Sequence, residues 1–138
     1  MTKAELIALA DRCEKADGSN YDLECQIYKV TNPDEYQRRL TALLEGPMRG
    51  RLGPADYDGY IKPPAYTASL DAAMMLVPKP ANEYENVFSL ELWGSNGVYP
   101  AHVRASAWVY GAPRVYAATP ALALTAASLR AHGEMRDG

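Results

Sequence analysis

The chain has 138 residues and a formal charge of −3, with 48% apolar and 22% charged residues, the balance of an ordinary globular protein. That length suits one domain with a core and is short for two, and no apolar run approaches the ~20 residues of a membrane span. The charge divides as about −2 over residues 1–65 and −1 over residues 66–138, so neither half offers the positive field that nonspecific nucleic-acid binding requires. The acidic start lacks the basic and apolar regions of a signal peptide, and the expectation is a cytoplasmic protein without a membrane partner. Cys13 and Cys25 stand alone, without CxxC units, and encode neither a zinc site nor a disulfide framework. Reduced, half-buried thiols are expected.

From the N-terminus, residues 3–16 read as a helix, with Leu6, Ile7, Leu9, Ala10 and Cys13 on one side and Asp11, Arg12, Glu14 and Lys15 on the other. Asp17-Gly18-Ser19-Asn20 breaks it. A second helix spans Tyr21 to Val30. A third spans Pro33 to Glu45, capped by Asn32, with Leu40, Leu43 and Leu44 as its apolar edge. Residues 46–65 hold four glycines and four prolines, too many for a regular element, together with Arg49, Arg51, Tyr57 and Tyr60. Within this loop, Gly46–Gly53 combines glycines with arginines that suit an anion, but lacks the Lys-Ser/Thr ending of a P-loop; a solvated linker is the plainer reading. Asp56-Tyr57-Asp58-Gly59 opens like a calcium loop, yet its twelfth position is Thr67, so the pattern fails.

Thr67 or Ser69 then begins a short helix that Pro78 ends, with Leu70, Ala73, Met74 and Val77 facing a sheet. Strict alternation follows: Phe88, Leu90 and Leu92 point one way, and Val87, Ser89, Glu91 and Trp93 the other. Ser95-Asn96-Gly97 supplies a hairpin turn. The returning strand, about 101–110, sets Ala101, Val103, Ala105, Ala107 and Val109 against His102, Arg104, Ser106, Trp108 and Tyr110. Gly111-Ala112-Pro113 turns the chain into a third strand at 114–117, where Arg114 and Tyr116 share a side. The last helix covers 119–132: Thr119 caps it, Pro120 suits its first position, and Leu122, Ala126 and Leu129 recur at helical spacing. Its alanines permit close packing. Arg130 and His132 match the helix dipole, His132 as a surface residue, and Gly133 is a stop signal.

The fold class is therefore α/β (α+β): a small antiparallel sheet of about three strands layered between helices, with a helical N-terminal extension. Residues 1–65 form that extension and loop, and residues 66–138 the sandwich core of one domain. The small apolar sheet face is the seat for helices 69–77 and 119–132.

The Tyr66–Pro78 helix, the hairpin and the Ala117–His132 helix, taken in that order, resemble the phage ABA sandwich domain, a family of small phage and prophage proteins. The resemblance covers about residues 66–132, roughly half the chain. It implies an alpha/beta/alpha layered fold and a viral or prophage origin. It carries no catalytic residues to transfer, and residues 1–65 depart from it.

Two readings of the polar sheet face stay open. In one, the N-terminal helices cover it, Trp93 and Trp108 are core, and Arg104 pairs with Glu91. In the other, the face, alone or with the 46–65 loop, is a pocket or a subunit interface; ten tyrosines against one phenylalanine favour half-wet surfaces of this kind. On the second reading Tyr57, Tyr60, Trp93, Trp108 and Tyr110 stack a planar base, while Arg49, Arg51, Arg104 and Arg114 hold phosphates. The expected function is a non-enzymatic protein that sequesters a small-molecule ligand, a host nucleotide immune signal, and acts in counter-defence as a homo-oligomer. The alternatives are an oligomeric or host-protein interaction module, and a nucleotide-processing enzyme built on His102. For catalysis the two histidines stand apart, and nothing supplies an oxyanion hole. No cofactor, metal or catalytic residue is expected.

Overall fold

The computed structural model describes residues 2–46, 61–78, 88–92 and 104–135. Helix α1, Lys3–Lys15, opens on a capping box: the Glu5 amide donates to Thr2 Oγ1 (3.2 Å) and the Thr2 amide to the Glu5 carboxylate (2.8 Å). Helix α2, Tyr21–Thr31, is capped by Asn20, whose Oδ1 accepts from the Leu23 amide at 2.9 Å. Helix α3, Pro33–Glu45, starts on Pro33 as expected, but the Asn32 side chain makes no capping bond. Its amide donates instead to Thr31 Oγ1 and, at 3.4 Å, to the Tyr66 hydroxyl. Helix α4 is short, Leu70–Met74, and Ser69 rather than Thr67 is its cap.

Among the described residues three strands follow: β1 (Phe88–Leu92), β2 (Ala105–Val109) and β3 (Val115–Ala117), paired antiparallel in the order β1-β2-β3. The register sets Phe88 opposite Val109, Leu90 opposite Ala107 and Leu92 opposite Ala105, and Ala105 opposite Ala117. One face is thus small and apolar along its length, as the alternation predicts. The Gly111 turn joins β2 to β3: Gly111 has φ +92°, where a side chain would be strained, and the Ala112 amide donates to the Val109 carbonyl. The Asn96-Gly97 turn and the rest of residues 93–103 lie outside the described residues.

Helix α5, Pro120–Glu134, is the centre of the molecule. Thr119 caps it through the Leu122 amide, and every residue from Ala121 to Leu129 is buried. A helix apolar on all sides has to be covered on all sides. One side of α5 lies on β2 and β3; α1 packs against another, and α4 against a third. The alanines of α5 let these neighbours approach closely. Gly133 belongs to the same packing: it does not stop the helix, which continues to Glu134, but faces α1, where a Cβ would sit 3.3 Å from Ile7 Cδ1.

Polar side chains fasten the layers. The Arg130 guanidinium, 19% exposed, bonds Asp11 and Glu14 of α1, and these carboxylates hold its pKa above the usual arginine value although burial opposes it. His132 is not a free surface residue. It is half-buried, with Nε2 2.7 Å from the Leu76 carbonyl oxygen at the end of the α4 segment. Residues 66–67 are held from both sides: the Tyr66 carbonyl accepts from Thr125 of α5 (2.8 Å), while the Thr67 amide and hydroxyl both reach the buried Glu24 carboxylate of α2 (3.0 and 2.6 Å). The Asn20 amide in turn donates to Thr67 Oγ1. Glu24 is charged, yet it is 5% exposed.

Leu6, Leu9, Cys13, Leu23 and Ile27 share one hydrophobic cluster with Tyr66, Val109, Leu122 and Leu129. The helical N-terminal part is thus an integral portion of the core. Both cysteines are buried, deeper than the half-burial expected.

Candidate functional site

With the small face of the sheet given to α5, the opposite face is the surface where sequence alternation places polar and aromatic side chains. Ser89 and Glu91 of β1, Ser106 and Trp108 of β2, and Tyr116 of β3 share it, since Ser89 pairs with Trp108, and Ser106 with both Glu91 and Tyr116. Two residues just outside the strands keep this parity. Arg104 precedes β2, its amide bonded to the Ala117 carbonyl at 3.0 Å, and Arg114 precedes β3.

Arg114 is the centre of the arrangement. One terminal nitrogen donates to Ser106 Oγ at 2.9 Å and the other to Ser89 Oγ at 3.0 Å, so one half-buried guanidinium spans all three strands. Beside it the rings of Trp108 and Tyr110 meet edge to face, with centroids 6.2 Å apart and planes at 78°. Trp108 is half-buried. Tyr110 is 61% exposed. An aromatic pair on the same face as a fixed cation is an arrangement that takes flat, anionic molecules by stacking and charge-assisted hydrogen bonds.

Of the residues predicted for the site, Arg104, Trp108, Tyr110 and Arg114 lie on or beside this one face. Arg49, Arg51, Tyr57, Tyr60 and Trp93 lie outside the described residues, as does His102, on which the enzyme alternative depends. The expectation that N-terminal helices cover the face fails among the described residues: α2 and α3 make no substantial contact with the sheet, and α1 packs chiefly on α5. Nor do Arg104 and Glu91 pair. Both are exposed, and neither forms an ion pair with any described residue.

Sequence reasoning placed Ser89 and Ser106 on the face without assigning them to the site. The signal was their size. A small hydroxyl beside a large aromatic leaves the room an arginine needs to lie across the sheet, and supplies an acceptor for its N–H groups.

Two open clefts among the described residues lie elsewhere. One, of about 390 Å³, is lined by Ser19, Thr67, Leu70 and Thr119 among others. The second, of about 470 Å³, runs between α1 and α2 past Arg12, Gln26 and Lys29, where Arg12 is already bonded to Gln26 and Asp22. Neither has an aromatic wall. Among the described residues no group of three His, Cys, Asp or Glu side chains is placed to hold a metal ion, and no helix is long and apolar enough to cross a membrane. No family model matches the chain, and neither the curated proteins nor the solved structures contain a significant match to it.

Proposed function

We propose that this chain is a non-enzymatic binding protein of the phage ABA sandwich kind, whose polar sheet face sequesters a nucleotide, and that its ligand is a host immune signal. The observation that carries the reading is the Trp108–Tyr110 pair beside an Arg114 guanidinium that meets only serine hydroxyls among the described residues. Stacking on a half-buried indole favours a planar base, and the guanidinium fork favours a phosphate over a neutral group. Arg104, exposed on the same face, adds a second positive charge.

The test incubates purified protein with a panel of cyclic and linear nucleotides, removes unbound material, heat-denatures the protein and identifies what is released. Recovery of one intact nucleotide, lost in Trp108→Ala, is the expected result. A converted product instead favours the enzyme. Retention of nothing across the panel overturns the reading.

A second reading has its own support in Tyr110 and Tyr116, both exposed on the same face. Tyrosine-rich, half-wet surfaces also bury well against protein, so a homo-oligomer or a host-protein contact through this face is the competing proposal. Sedimentation velocity over a hundredfold concentration range separates the two. A monomer throughout removes the homo-oligomer.

A further inference from the structure

We infer that Arg114, Ser89 and Ser106 form an oxyanion seat that takes a phosphate group, with Ser106 as the buried positioning residue and Arg114 and Ser89 as the groups that touch the ligand. The inference rests on the proposed reading of this face as a ligand surface, but it concerns the anion alone and not the base.

A guanidinium carries five N–H donors and accepts nothing, so in its two contacts the serine oxygens must be the acceptors. Each hydroxyl therefore keeps its own proton to give elsewhere. No described residue takes the proton of either hydroxyl. Arg114 has three further N–H groups, and none of them meets an acceptor among the described residues. The cluster thus holds itself together through the two serine oxygens and has N–H and O–H donors left over that no described residue accepts from.

Charge points the same way. Removing a guanidinium from water is expensive unless an anion meets it, and Arg130, the other half-buried arginine among the described residues, obeys the rule by meeting two carboxylates. Arg114 is half-buried with none among the described residues, although Glu91 sits on the same face with its Cα level with Ser106. The ionised side chains described on this face are Arg104, Arg114 and Glu91, a positive balance. A phosphate oxygen fits the remaining demand, because it accepts from an N–H fork and from a hydroxyl at once.

Ser106 is fully buried, so it fixes the guanidinium and does not reach the ligand. Ser89 is only partly covered and lies at the far end of the fork. The seat should accept a terminal phosphate or a phosphodiester alike, since both present two accepting oxygens.

The probes are inorganic pyrophosphate, which has phosphate oxygens but no base, and a dinucleoside phosphodiester. Each is titrated at low salt into the full chain labelled with ¹⁵N, and the Arg114 Nε–H resonance is followed, assigned by its loss in Arg114→Lys. The expected result is a saturable shift of that resonance by pyrophosphate in wild type, with the affinity, read for every variant by isothermal titration calorimetry, weakened at least tenfold in Arg114→Lys and several-fold in Ser89→Ala, and unchanged in Arg12→Gln, which lies on α1. Response to pyrophosphate alone marks a terminal-phosphate ligand; response to both marks a seat open to phosphodiesters. Absence of a saturable shift with either probe overturns the seat, as does equal binding by wild type and Ser89→Ala. If Arg114→Lys fails to fold, Ser89→Ala and the wild-type titration decide alone. Nucleotide retained equally by Ser89→Ala and wild type leaves the sequestering function standing and removes the seat. Pyrophosphate bound without any nucleotide retained does the reverse.

Discussion

Both sides of the sheet carry arginine, serine and small residues, yet they treat them in opposite ways. On the α5 side Arg130 meets Asp11 and Glu14, and alanines are packed until nothing is open. On the polar side Arg114 meets two serines, and the rings beside it stay half-wet. Packing explains the first arrangement completely. It does not explain the second, because a three-stranded sheet needs no arginine across it to hold its register. The contrast separates residues that make the fold from residues that use it, and it makes claims that mutation can break.

The largest effect belongs to the packed side. Leu122 is fully buried at the first turn of α5, and Leu122→Ala is expected to cost about 2–5 kcal/mol in urea unfolding, since close-packed surroundings collapse poorly into the space left. Trp108→Ala, on the other face, should cost distinctly less than a buried aromatic, because the indole is half-exposed already. A reversal of that order would mean that the polar face is the core.

Next comes pH. Burial pushes the Cys13 thiol up to about 12, with the neighbouring Glu14 adding to the rise and Arg12 opposing it; burial also pushes the Tyr66 hydroxyl up to about 12. Both groups keep their protons in the folded chain where the unfolded chain has released them, from about pH 9.0 for the thiol and 10.0 for the phenol. The associated stability is complete below pH 9.0 and is lost as pH rises toward 12, at roughly 1.4 kcal/mol per pH unit for each group. Urea midpoints measured from pH 8 to 11 should fall in wild type and fall less steeply in Cys13→Ala. Parallel curves would show that Cys13 ionises as readily folded as unfolded.

Thr67→Val is expected to cost about 1–3 kcal/mol, less than the leucine change. The substitution keeps shape and removes the hydroxyl between Glu24 and the Asn20 amide, leaving the buried carboxylate one backbone donor at this residue. Glu24→Gln in the same background should recover part of the loss, because it removes the charge that the hydroxyl served. Differential scanning calorimetry of the two variants and their combination measures this coupling.

How much of this was legible in the sequence follows the same division. Periodicity and caps located α1, α2, α3 and α5 to within one or two residues, and alternation sorted the described part of the sheet faces correctly, because both signals are local. What failed was tertiary. Gly133 reads as a helix stop, and only the packing of Ile7 against it shows a close approach instead. Glu24 and Thr67 are 43 residues apart, so nothing local marks either as the partner of the other. The burial of α5 on every side did have a signal: from Pro120 to Ala131 its one charged residue is Arg130, too few for a helix with a solvent face. On the polar face the arginine and the aromatics were visible as residue types, whereas the serines that hold Arg114 were marked only by their small size, and the register is what ties them to it.

The smallest effect is the sharpest test of the comparison. Glu91 is exposed and makes no ion pair with a described residue, so Glu91→Gln should change stability by no more than about 0.5 kcal/mol. Its charge nevertheless faces the same side as Arg114, level with Ser106. A carboxylate about 8 Å from a bound anion in a largely aqueous setting opposes it by roughly 0.7 kcal/mol, so the substitution should tighten pyrophosphate binding about threefold at low salt. The gain should fade at 0.5 M salt. If affinity instead falls, Glu91 helps to hold the site, and the cation there belongs to the fold just as Arg130 does.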